Sequence, residues 1–228
     1  MSHDDFAFEP VRGLPEELPA GERILWQGAP SWVAMARHVF HVRFVAAYFA
    51  VIATWRVISA ANAGALDAGV IVQVVWALGL GALAIAVLGV IAYGYGRTTV
   101  YTVTNRRVVI RSGVAFQITF NLPFAAVMGA GLRHHRDGTG DIPLTLDGAE
   151  QIAYLHIWPN VRPWKLTRPE PMLRNIPAPD QVAELLTDAL KVYHAETGNA
   201  GRAAQPTAIR ASDRPRVVRR PPAVVAAE

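Results

Sequence analysis

Residues 44–61 read FVAAYFAVIATWRVISAA and residues 68–93 read AGVIVQVVWALGLGALAIAVLGVIAY, and these two runs decide the fold. The first carries one charge, Arg56; the second carries one strongly polar side chain, Gln73. A helix gains about 1.5 Å per residue and needs about 20 apolar residues to cross a bilayer's hydrocarbon, so the second run spans with tilt and the first with a few flanking residues. Asn62 to Asp67, between them, is long enough only for a turn. The two helices are therefore expected to be antiparallel neighbours, a hairpin.

These runs account for an unusual composition. The chain has 228 residues, 52% hydrophobic and only 18% charged, with a mean hydropathy of +0.22. Such a balance excludes an intrinsically disordered protein and counts against an ordinary water-soluble enzyme. The absence of cysteine excludes disulfide scaffolds, thiolate nucleophiles and iron–sulfur ligation. A net charge of +4 gives no indication of a nucleic-acid partner, and none is expected.

The flanks set an expected orientation. Arg37 and Arg43 precede the first span, Arg97, Arg106, Arg107 and Arg111 follow the second, and the linking turn carries only Asp67. The positive-inside rule then places both termini in the cytoplasm. The acidic stretch before Pro30 does not read as a cleaved signal peptide. Phe40, Phe44, Tyr93 and Tyr95 fall at the expected inner interface and Trp55 towards the outer one. Two readings of Arg56 stand: it snorkels to the outer headgroups, or it pairs with Gln73 or with a polar group on a partner helix. Small residues recur at helical spacing, as Ala46, Ala50 and Thr54 in the first span and as Ala77 with Gly81 in the second. They suit close packing within the hairpin or docking to another membrane helix, including a second copy of the chain. Ahead of the hairpin, Ser31 reads as the N-cap of an interfacial helix on which His38 and His41 share one face.

After Arg97 the pattern alternates. Val114, Phe116, Ile118 and Phe120 predict a half-buried strand, and so do Thr98–Thr104, Arg107–Arg111, Ile142–Leu146 and Ile152–Trp158, with turns at Asn105, Ser112-Gly113, Asp137-Gly138 and Asp147-Gly148. A helix from Pro179 carries Val182, Leu185, Leu186, Ala189, Leu190 and Tyr193 on one side, and Gly198 is expected to stop it. The expected organisation is an N-terminal extension (1–30), an interfacial helix (31–43), the hairpin (44–96), a cytoplasmic β domain with its helix (97–196) and a disordered basic tail (197–228).

The leader GERILWQGAP (21–30), the hairpin, and YTVTNRRVVIRSG (101–113) with GTGDI (138–142) resemble the bacterial pleckstrin-homology-like membrane proteins. That resemblance implies an α+β membrane protein: a two-helix transmembrane hairpin followed by a PH-like antiparallel β-barrel or sandwich closed by a C-terminal α-helix. Within this family the residues from Asp4 to Pro30, the loop WPNVRPW (158–164) and Ile176-Pro177 look most like the photosynthetic complex assembly proteins of purple bacteria. The likeness implies a non-enzymatic helper encoded beside the reaction-centre H subunit. Its partners would be reaction-centre subunits, core light-harvesting polypeptides or other assembly factors. It implies no cofactor, metal or catalytic residue.

A second reading is a lipid-binding module in which Arg106, Arg107, Arg111, Arg133 and Arg136 hold anionic headgroups of the membrane. An enzyme is the poorest fit. His134 and His135, adjacent on an expected strand, point to opposite faces; Gly138-Thr139-Gly140-Asp141 reads as a hairpin turn rather than a phosphate loop; His156 reads as a half-buried sheet residue.

Overall fold

The computed structural model describes residues 12–14, 16–114, 116–147 and 154–203. Its contacts divide the chain into one unit up to His194 and a second from Ala195 onward. Strand β1 (Ile24–Gly28) comes first and leads into helix α1 (Trp32–His38), whose start is fixed by Ser31: its side chain accepts a hydrogen bond from the Ala34 N–H. Helix α2 (Val42–Asn62) and helix α3 (Ala68–Thr98) form the hairpin, and Asp67 caps α3 by accepting from Val70 N–H at 3.0 Å. Both helices are long and apolar enough to cross a membrane, and in each hydrophobic window only 6% is buried.

Two antiparallel sheets follow. The first has the order β1-β2-β3-β4, with β2 (Val100–Thr104), β3 (Arg107–Ser112) and β4 (Ile118–Pro123). The second is built on β7 (Thr139–Leu146), which pairs with β5 (Val127–Ala130), β6 (Arg133–His134) and β8 (Met172–Pro177). A single turn of helix, α4 (Tyr154–Ile157), lies between β7 and β8, and α5 (Pro179–Ala203) ends the described chain. The sheets and α5 share one core, in which Tyr101, Ile110, Leu122, Phe124, Ile142, Leu144, Leu173 and Leu186 are fully buried. Each such large apolar side chain contributes about 1.5–3 kcal/mol by leaving water. The α+β, PH-like architecture matches the sequence expectation in its sandwich form; among the described residues the two sheets do not close into a barrel.

Several expectations need correction. Residues within the expected N-terminal extension belong to the sheet: β1 pairs with β2, Asn105 Oδ1 accepts from Arg23 N–H at 2.9 Å, and a Cβ on Gly13 would strike Val100 at 2.6 Å. This segment covers β2, all five of whose residues are buried. The expected strand around Val114 and Phe116 begins only at Ile118, because residues between Ser112 and Ile118 make the connection of a hairpin whose register pairs those two. Gly113, at φ 138°, is required there: a Cβ would lie 1.9 Å from the Phe116 carbonyl oxygen. Of the expected strand Ile152–Trp158, Tyr154–Ile157 form helix α4 instead; residues 148–153 lie outside the described residues. His156 is accordingly exposed on that turn rather than half-buried in a sheet. Gly198 does not stop α5, which continues to Ala203. Residues 204–228, most of the expected tail, lie outside the described residues.

Candidate functional site

The site is created by how α1 is fastened to the second sheet. Below the α1 N-terminus, Ser31 N–H donates to the Asn175 carbonyl at 2.9 Å. On one side Met35, Ala36 and Ala92 pack α1 against α3, and Gly96 lets Trp32 approach, since a Cβ there would meet the Trp32 Cβ at 2.6 Å. At its other end His38 Nε2 lies 2.9 Å from Asp137 Oδ2, and its ring stacks on His135 with centroids 4.1 Å apart. The chain then turns sharply at His41 (φ 52°), which begins α2 without a side-chain cap. His38 ends one helix and His41 precedes the next, so the two do not share a helical face as the spacing predicts.

This turn leaves a cleft of about 980 Å³. One wall is the end of α1 and the first turns of α2, with Arg37, Arg43, Phe44 and Ala47; the facing wall is Arg133, His135, Asp141 and Arg174 from the second sheet. The rim comes from residues between α4 and β8, chiefly Trp158, Arg162, Trp164 and Leu166. Trp158 is held edge-on by Phe40 and Tyr95, each with centroids 5.9 Å away, whereas Trp164 is 93% exposed.

Positive charge dominates the lining. Arg162 donates to Glu170 at 2.8 Å, with Lys165 on the other carboxylate oxygen, and Arg37 lies 3.9 Å from Asp137. Burial alone would raise the Glu170 carboxyl, but its bonds from Lys165 and Arg162 hold it below its ordinary value. Arg43 and Arg133 have no acidic partner among the described residues. Arg174 is 7% exposed; its Nη1 donates to the Pro159 carbonyl at 3.1 Å, while its Nε has no partner in this structure. Burial lowers the Arg174 pKa, Asp141 opposes that, and nearby Arg133 adds to it by repulsion. Beneath lies a polar network: Tyr101 donates to Asn160 Oδ1 at 2.6 Å and accepts from Arg174 N–H at 3.2 Å, and Asp141 accepts from Asn175 N–H at 2.9 Å. Burial pushes the Tyr101 hydroxyl far above its ordinary value, so it stays protonated as a donor. Planar guanidinium forks lining a concavity suit the binding of a multivalent oxyanion. Among the described residues no group of three or more His, Asp or Glu is placed to hold a metal ion.

The sequence-predicted residues are dispersed. Arg56 Nη1 donates to Gln73 Oε1 at 3.4 Å across the hairpin, a long bond between exposed groups. Gly81 is buried against Phe49 and Ala77 is half-buried, but Ala46 and Ala50 are exposed, away from the α2–α3 contact. Of the arginines read as a lipid patch, only Arg133 lines the cleft. Arg106 and Arg107 occupy the β2–β3 turn at the end of β2 farthest from α3, about 13 Å along the strand, and Arg107 is bound to Glu22 at 2.7 Å. Arg111, opposite Val100 at the near end, bonds Gln117 Oε1 at 2.9 Å. His134 lies 2.8 Å from Asp180, and Asp137 accepts from Thr139 N–H in the turn that the glycines of residues 138–140 predict. Arg37, Arg43, Arg162 and Arg174 were missed as a group because they come from separate segments; the cluster Arg37, His38, His41 and Arg43 and the aromatic loop 158–164 were the available signals.

Comparison with known proteins agrees with this architecture. The family model described as "Bacterial PH domain" matches residues 33–190, the hairpin included. A Rhodobacter capsulatus protein described as an uncharacterized 23.7 kDa protein in the puhA 5' region is 34% identical over 190 residues, covering 83% of this chain and 89% of the relative. No solved structure gives a significant match. By its sequence match and its two-sheet, helix-closed architecture, the chain belongs to the bacterial PH domain family.

Proposed function

We propose that this protein is a non-enzymatic inner-membrane assembly factor, of the PuhB type, for the photosynthetic reaction centre and its core light-harvesting complex. The observation that carries the reading is the 34% identical Rhodobacter capsulatus relative, described by its place in the puhA 5' region. The hairpin supports membrane residence. Phe44, Trp55, Trp76 and Val90 are each about 70% exposed, a surface that water does not tolerate over two whole helices and that lipid does. Helix α3 is about 46 Å long against a hydrocarbon thickness of about 30 Å, so its last turns emerge to carry β2. Arg37, Arg43 and Arg97 lie at one end of the hairpin and Asp67 at the other, which supports a cytoplasmic β domain and cytoplasmic termini.

In this reading the chemistry is binding. The hairpin confines the domain to the membrane plane and raises its effective concentration near membrane clients without a strong interface. Client helices of reaction-centre or light-harvesting subunits, or a second copy, meet the uncovered hairpin face on which Ala46 and Ala50 stand. Deletion of the gene tests the assignment: near-infrared absorption of the assembled complexes falls, while pigment synthesis and subunit transcripts stay near normal. Unchanged absorption in the deletion strain removes the proposal.

A further inference from the structure

We propose that the cleft between α2 and the second sheet is a binding site for the phosphate of an anionic phospholipid. The proposal rests on the membrane placement of the hairpin and is independent of the assembly role.

Three observations meet there. First, the charge is unbalanced: Arg43 and Arg133, on opposite walls, are both exposed and lack acidic partners among the described residues. Second, Arg174 lies at the back of the cleft, 7% exposed, and adds a third positive charge to a lining whose one carboxylate is Asp141. A phosphate between Arg43, Arg133 and Arg174 would supply oxygens to all three and relieve the repulsion that Arg133 exerts on Arg174. Third, the depth is right for a lipid rather than a soluble anion. Arg43 and Phe44 stand where α2 enters the apolar run, and the opening is rimmed by exposed Phe44, Trp164 and Leu166, at 74%, 93% and 65%. An aromatic and aliphatic lip on a basic pocket seats at the level of the headgroups, with acyl chains continuing along α2.

The test is native mass spectrometry of the full chain released from micelles containing equal phosphatidylglycerol and phosphatidylcholine. The wild type retains phosphatidylglycerol about tenfold over phosphatidylcholine, and Arg43→Gln with Arg133→Gln brings the ratio close to one, at about threefold per arginine. Arg106→Gln, at the far end of β2, leaves the ratio unchanged. Excess inorganic phosphate leaves phosphatidylglycerol bound. Equal retention of the two lipids by the wild type overturns the proposal and needs no variant to be interpreted. So does a double variant that folds and still prefers phosphatidylglycerol. Displacement by inorganic phosphate shows a soluble-anion site and overturns the lipid assignment. A failed lipid preference in a chain that still partitions into micelles counts against this site alone and leaves the hairpin and the assembly role standing.

Discussion

Gly81 is a point of close approach in the hairpin: a Cβ there would lie 2.8 Å from Phe49 Cγ and 2.9 Å from Phe49 Cβ, a position near the α2 backbone that a rotamer change cannot clear. Gly81→Ala therefore forces the helices apart and lowers stability by about 1–3 kcal/mol, whereas Gly89→Ala, with nothing within 4 Å, is neutral or slightly stabilising. Thermal unfolding in detergent compares them, and equal melting of both variants would show that the helices do not meet at Gly81. Asp137 couples α1 to the β6–β7 turn. Its carboxyl is held well below the ordinary carboxylate range, first by the Thr139 hydroxyl at 2.7 Å and then, against the effect of burial, by His38. The folded form thus binds a proton less readily than the unfolded one. Its contribution is complete above the unfolded value of about 4 and is lost as pH falls below it. Between about pH 6 and pH 3 the wild type should lose more melting temperature than Asp137→Asn, and parallel losses would mean that these bonds contribute nothing.

Helix α5 closes the sandwich with a single face. Val182 and Leu186 are at most 2% exposed and Leu190 8%, while Leu185, Ala189 and Tyr193 pack at the edge. Leu186→Ala should cost about 2–5 kcal/mol, read as a lower denaturant midpoint by tyrosine and tryptophan signals, and a change under about 1 kcal/mol would place the core elsewhere. The face was legible because one helix repeats its apolar residues at a fixed period, and the hairpin because each of its runs is apolar over a bilayer-spanning length. Strand β1 was not: Ile24–Gly28 is short, ends in Gln27-Gly28, and becomes a strand only because β2 offers an edge far along the chain. Conversely, the alternation read over Ile152–Trp158 yields helix α4 over its described residues Tyr154–Ile157. The cleft was least legible. Arg37, Arg43, Arg133, Arg162 and Arg174 have no common motif, and only the turn at His41 and the pairing of β6 and β8 with β7 bring them together.

The molecule as a whole is arranged around one junction, where α1 lies between α3 and the second sheet and fixes the domain to the hairpin. A rigid junction gives the cleft a defined depth relative to the hairpin, so both the assembly reading and the lipid site depend on which compartments the hairpin's two ends face. The chain contains no cysteine, so single cysteines report position without background. Leu66→Cys, in the 63% exposed linking turn, and Arg106→Cys, in the exposed β2–β3 turn, are to be challenged with a membrane-impermeant maleimide in intact cells and after lysis. Labelling of Leu66→Cys in intact cells, with Arg106→Cys reacting only after lysis, is the predicted result. Reaction of both from the same side, or recovery of the chain in the high-speed supernatant, would contradict the account.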